Sequence, residues 1–147
     1  MESSFREIVR PSEPRAAAFS PHQGKQILVV DPDAEMRALV SDCLSEVRLE
    51  VVEARHEQEV LRTLSDFEPH VILTELWLSP GGFDYVRQLR ECVPFCPVIV
   101  LAAYGTEQDK MRVLSYGVAV FLTKPVRLQK LRHAVLAVLD HGVLSNN

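Results

Sequence analysis

Residues 26–47 read QILVVDPDAEMRALVSDCLSEV, and two hydrophobic periods meet inside them. Ile27, Leu28, Val29 and Val30 form a short, mostly β-branched apolar run that ends at Asp31, the pattern of a strand buried on both faces. Met36, Leu39, Val40, Cys43, Leu44 and Val47 then recur at helical spacing, one apolar stripe over three turns. Pro32 suits the first turn of that helix, where a missing N–H costs nothing, with Asp31 or Asp33 as the cap. A buried strand feeding an amphipathic helix is the first half of a βαβ unit.

The alternation continues outward from this stretch. Leu49 to Val52 reads as a second strand, followed by a helix with Val60, Leu61, Leu64 and Phe67 turned inward. Val71 to Glu75 is a third strand, a Pro-Gly-Gly loop spans Pro80 to Gly82, and the next helix places Val86, Leu89 and Val93 on one side. Val98 to Leu101 is the most apolar strand. Thr106 caps the helix that follows, with Glu107 and Asp109 in its first turn, and Tyr116-Gly117 ends it. Val118 to Leu122 is the fifth strand, and the last helix buries Leu128, Leu131, Val135, Val138 and Leu139. Five strands alternating with helices predict an α/β fold, a doubly wound five-stranded parallel sheet covered on both faces.

A chain of 147 residues has room for one domain with a real core. Residues 1–24, with Pro11, Pro14, Pro21 and little to bury, read as a flexible N-terminal extension; 25–142 form the domain and 143–147 a tail. Phe5, Ile8 and Val9 are the residues of that extension that could dock a short helical turn. An apolar content of 47% with a net charge of -4 gives no electrostatic reason to expect nucleic acid or an anionic membrane as partner. Without a secretory signal or a membrane-length apolar run, the expected compartment is the cytoplasm. Cys92 and Cys96 have the spacing of two metal ligands, but no Cys or His lies near them in sequence and Pro94 and Pro97 mark a turn, so ordinary reduced thiols are expected there and at Cys43. The five histidines are scattered and share no ligand spacing.

In a doubly wound sheet the functional crevice lies beyond the carboxyl ends of the strands, where strand order reverses. Strand one ends at Asp31, strand three at Glu75, strand four at Ala102 and strand five at Thr123-Lys124-Pro125. A charged residue often ends a strand simply by meeting solvent. Three on separate strands, at one end of the sheet, point to a site.

These stretches carry a family resemblance. Ile27–Asp31, Pro69–Glu75, Pro97–Gly105 and Phe121–Pro125 resemble the receiver domain of bacterial two-component response regulators over about residues 26 to 140. The resemblance implies the flavodoxin-like strand order 2-1-3-4-5. It also implies a central Asp that accepts a phosphoryl group from a histidine kinase, Mg²⁺ held by adjacent acids, and a Thr or Ser and a Lys on the phosphoryl oxygens. This sequence departs from that pattern. Glu75 stands at the acceptor position, Pro32 where a second metal ligand is expected, and Ala102 at the hydroxyl position; the loop after Glu75 is about one residue short. Asp31 and Lys124 are retained, and Pro125 follows Lys124 where the family commonly has a cis peptide. A misplacement of about 1 Å can cost on the order of 100-fold in rate, so three altered positions argue against phosphotransfer and against more than weak Mg²⁺ binding.

Two readings of the remnant follow. Glu75 and Lys124 form an ion pair kept for stability, or Glu75 imitates a phosphorylated aspartate and holds the domain in one signalling state. Either way the expected function is not enzymatic: a pseudo-receiver acting as a phosphorylation-independent protein-interaction module, as a monomer or weak dimer. The alternative is a degenerate receiver that still accepts phosphate, using Asp31, Asp33 or Glu75. The expected partner is a protein, either a histidine kinase or a downstream signalling protein. By resemblance the output face is built from the fourth helix, fifth strand and last helix, with Lys110, Val113, Arg127, Lys130 and Arg132 upon it, and Phe121 and Tyr104 as switch positions. A DNA-binding regulator is not expected from these residues, because the short tail of 143–147 is too small for a helix-turn-helix, unless the sequence is a fragment of a longer chain that carries an effector.

Overall fold

The structure, a computed structural model, describes residues 20–78 and 82–141. The strands are β1 (Gln26–Val30), β2 (Glu50–Ala54), β3 (Val71–Glu75), β4 (Val98–Ala102) and β5 (Val120–Thr123). The helices between and after them are α1 (Ala34–Ser45), α2 (Glu57–Leu64), α3 (Gly82–Cys92), α4 (Glu107–Ser115) and α5 (Leu128–His141). All four strand pairings are parallel, in the order β2-β1-β3-β4-β5. Chain direction along the sheet reverses at β1, so the crevice opens between the ends of β1 and β3.

Alternate residues of each strand serve two cores. Leu28, Val30, Ile72, Val98 and Val100 pack with Val60, Val86, Leu89 and Val113, under α2, α3 and α4. Ile27, Val29, Leu73, Ile99 and Leu101 face the other way onto Val40, Leu44, Leu131, Val135 and Val138 of α1 and α5. This two-sided burial is why β1, β3 and β4 read as nearly continuous apolar runs, whereas the edge strand β2 carries Glu50 and Glu53 exposed.

Several sequence expectations need correction. Pro32 lies outside α1, which starts at Ala34 with Asp33 as N-cap, its side chain accepting the Glu35 N–H. A cap needs a side-chain acceptor beside the first free N–H groups, and Asp33 supplies it while Asp31 is engaged elsewhere. Leu39 and Leu61 are exposed, because each helix fills its core contact with the adjacent residue, Val40 or Val60, about 100° round the helix. Strand β5 begins at Val120, two residues later than expected, because Val118 packs into the core before the ladder starts. The Thr106 cap is as expected, and its side chain and that of Asp109 satisfy each other's backbone N–H in a capping box.

The expected flexible extension, including Phe5, Ile8 and Val9, lies outside the described residues up to position 19, as does the tail after 141. Residues 21–24 form a turn, and His22 Nε2 lies 2.6 Å from Asp140 Oδ1 at the end of α5.

Candidate functional site

The ends of β1, β3 and β5 bring Asp31, Glu75 and Lys124 together, as the sequence predicted. Lys124 Nζ lies 2.8 Å from Asp31 Oδ2 and 2.7 Å from Glu75 Oε1, so one ammonium bridges two carboxylates. Both acids are 4% exposed. Burial pulls the Lys124 pKa down, but its hydrogen bonds and charge contacts with Asp31 and Glu75 together outweigh that and hold it above the ordinary lysine value. Lys124 precedes a cis-Pro, Pro125, and its N–H donates to the Ala102 carbonyl, which anchors the base of its side chain to the adjacent strand end.

The remaining carboxylate oxygens are also engaged. Asp31 Oδ1 accepts the Asp33 N–H at 2.9 Å. Glu75 Oε2 accepts two backbone N–H groups, from Trp77 at 3.0 Å and from Ala103 at 3.2 Å. The first belongs to the chain leaving β3 and the second to the chain leaving β4. A lysine ammonium and two converging backbone N–H donors make an anion cradle, and the occupant of this one is the protein's own glutamate.

Ala102 is fully buried at the end of β4 and offers no hydroxyl. Phe121 is 8% exposed and turned inward beneath the β4–α4 loop, with its Cζ 3.5 Å from where a Cβ on Gly105 would stand. Among the described residues no group of three or more His, Cys, Asp or Glu side chains could hold a metal ion. Asp33, a candidate acid in the sequence, has its side chain committed to the α1 cap.

The expected output face is corrected at two positions. Lys110, Arg127 and Lys130 line one open groove of about 410 Å³ beside Phe121 and Pro125. Val113 is fully buried. Arg132 points to α1 instead, donating to Glu46 Oε1 at 2.9 Å, because its position on α5 faces the neighbouring helix. Tyr104 is 65% exposed on the β4–α4 loop.

Three residues were missed by reading the sequence. Arg37 is buried on α1, donating from Nη1 to the Asp31 carbonyl at 2.6 Å and from Nε to Glu53 Oε1 at 2.9 Å. Its signal was available, since it falls at i−3 and i−7 from Val40 and Leu44, inside the buried stripe. Thr74 and Tyr85 share a buried hydrogen bond of 2.8 Å behind Glu75, and burial raises the Tyr85 pKa far above the ordinary phenol value.

Residues 27–136 match the family model described as response regulator receiver domain. The chain is 33% identical over 120 residues to the phosphate regulon transcriptional regulatory protein PhoB of Pseudomonas aeruginosa, covering 79% of this chain and 52% of that protein. It is 32% identical over 116 residues to the response regulator protein PilR of the same organism, covering 78% of this chain and 26% of that one. The chain therefore spans about half, or a quarter, of the length of these relatives. Among solved structures, a CheY-like receiver domain protein from Methanospirillum hungatei superposes with a TM-score of 0.76 at 22% identity, covering 81% of this chain and 96% of that one. A response regulator receiver protein from Pseudomonas putida gives 0.73 at 27% identity, covering 78% and 97%. Strand order, the charged residues at the strand ends and these matches agree: the chain belongs to the response regulator receiver domain family of two-component signalling.

Proposed function

We propose that this receiver works without phosphorylation, as a protein-interaction module whose site is permanently filled by Glu75. The observation that carries this reading is the full engagement of the Glu75 carboxylate by Lys124 Nζ and the Trp77 and Ala103 N–H groups. An incoming phosphoryl group would have to compete with a tethered anion for the same donors. The resident carboxylate is held by covalent linkage and loses no translational freedom on binding, so it has the advantage.

The donor set also fits a divalent ion poorly. Mg²⁺ demands near-octahedral oxygen ligation, yet each of the four carboxylate oxygens of Asp31 and Glu75 already accepts a protein hydrogen bond, and Pro32 supplies no ligand. Glu75 imitates the charge of a phosphorylated aspartate only in part, because Ala102 makes no hydrogen bond to the occupant.

On this reading the domain rests in one signalling state and acts through a protein partner, a histidine kinase or a downstream signalling protein, in the cytoplasm. No described helix is long and apolar enough to cross a membrane. The deciding experiment is incubation with acetyl phosphate and Mg²⁺, followed by intact-mass measurement. No gain is expected. A gain of one phosphoryl group that disappears in Glu75→Gln would establish the competing reading, a degenerate but working phosphate acceptor.

A further inference from the structure

Ala102 removes the hydroxyl through which a phosphate would hold the β4–α4 loop, yet that loop is tied to the site by other groups. Glu75 Oε2 accepts the N–H of Ala103, the first residue of the loop. The same oxygen accepts the N–H of Trp77, whose side chain reaches across to the loop as well. Trp77 Nε1 donates to the Tyr104 carbonyl at 2.7 Å, and the two rings stack with centroids 5.0 Å apart and planes 13° from parallel. The tryptophan also meets Phe83 edge-on at 5.3 Å, and the guanidinium of Arg112, on α4, lies 4.0 Å from the Phe83 ring centre. Helix α4 is thus reached from Glu75 by two routes, one through Tyr104 to its N-terminal cap at Thr106 and one through Phe83 to Arg112. Gly82 borders the indole, where a Cβ would make ordinary contact at 3.6 Å, and it is the φ of +57° that favours glycine there.

We propose that Trp77 is a positioning residue that replaces the missing hydroxyl, transmitting the hold of the Glu75 carboxylate to the β4–α4 loop and to α4. This rests on reading Glu75 as the resident anion of the site. The backbone N–H of Trp77 senses the carboxylate, and its indole fixes the loop by a hydrogen bond and a stack on one residue. A planar ring with a single donor suits both tasks, since stacking sets its plane and the N–H sets its rotation. Interaction with a partner across α4 then depends on an aromatic side chain two residues beyond the acceptor position.

Trp77 is the one tryptophan of the sequence, so its fluorescence reports the contact directly. In Glu75→Gln, folded by circular dichroism, its emission is expected to shift to the red and acrylamide quenching to rise as the stack loosens. Emission and quenching identical to the unmodified protein would overturn the proposal. A second measurement covers the case in which that variant does not fold. Amide exchange in the first turn of α4, including the Lys110 N–H, is expected to quicken in Trp77→Ala and to recover partly in Trp77→Phe, which keeps a ring but no donor. Equal exchange in all three proteins would also overturn it, whereas a purely space-filling role predicts full recovery by phenylalanine. Phosphate uptake by the unmodified protein would defeat the proposed function and leave these readouts standing; unchanged fluorescence without phosphate uptake defeats only the coupling.

Discussion

Glu75 Oε2 accepts the backbone N–H of Ala103 at 3.2 Å, joining the end of β3 to the first residue after β4. A carboxylate one methylene shorter would start from the same backbone and fall about 1.5 Å short of this reach. The length of the glutamate, as much as its charge, is what closes the site.

Restoring an aspartate alone should therefore not restore phosphate acceptance. Glu75→Asp frees the cradle but leaves Ala102 without a hydroxyl and Pro32 without a carboxylate. The triple change Glu75→Asp, Ala102→Thr, Pro32→Asp is expected to gain one phosphoryl group from acetyl phosphate with Mg²⁺, and Glu75→Asp by itself none, by intact mass. Uptake by the single variant would show that the other two positions do not limit the site.

Replacing Lys124 strands two buried carboxylates. Lys124→Met is expected to cost about 3 kcal/mol in urea unfolding, the low end for breaking a buried ion pair, because its side chain keeps 22% of its surface in water. Adding Glu75→Gln should recover part of this loss. Strict additivity of the two changes would mean that Glu75 and Lys124 are not coupled.

The same lysine predicts an alkaline weakness. Its folded pKa is raised, so its contribution is complete below the unfolded value of about 10.4 and is lost as pH climbs through the folded one. The stability difference between the unmodified protein and Lys124→Met should hold from neutral pH to about pH 10 and shrink above it. A difference that persists undiminished well above that range would contradict the assignment.

Arg37 supports the site from below. Arg37→Met leaves the Asp31 carbonyl without its 2.6 Å donor and is expected to destabilise the domain by about 2 kcal/mol, as for a buried hydrogen bond to a charged group. Glu53 is partly exposed and turns to water. A change in the urea midpoint too small to resolve would show that water substitutes at both acceptors.

Thiol labelling should separate the cysteines. Cys92 is exposed, whereas burial pushes the Cys96 thiol up to about 11 and also raises that of Cys43. With iodoacetamide near neutral pH, peptide mapping should find Cys92 modified first and Cys96 on the order of 100-fold slower, through its small thiolate fraction. Similar rates at the two positions would place Cys96 in a more open environment than the folded structure allows.

The architecture and the residues of the site were legible in the amino-acid order. Runs such as Ile27–Val30 and Val98–Ala102 carry two-sided burial in their composition, because a parallel strand packs helices on both faces and tolerates no polar alternation. Asp31, Glu75 and Lys124 were brought together by the rule that strand ends share one crevice, and the substitutions at Pro32 and Ala102 are plain in the letters. Helix boundaries and facing were less legible: Leu39 fits the apolar stripe as well as its neighbours, and only the competition of Met36, Val40 and Leu44 for the same core left it outside. Tertiary structure alone decided what Glu75 does with its second oxygen. Its partners there are backbone N–H groups, which every residue but proline possesses, so no choice of side chain announces them. The stack of Trp77 on Tyr104 likewise joins loops 27 positions apart, and such a contact exists only once β3 and β4 lie side by side.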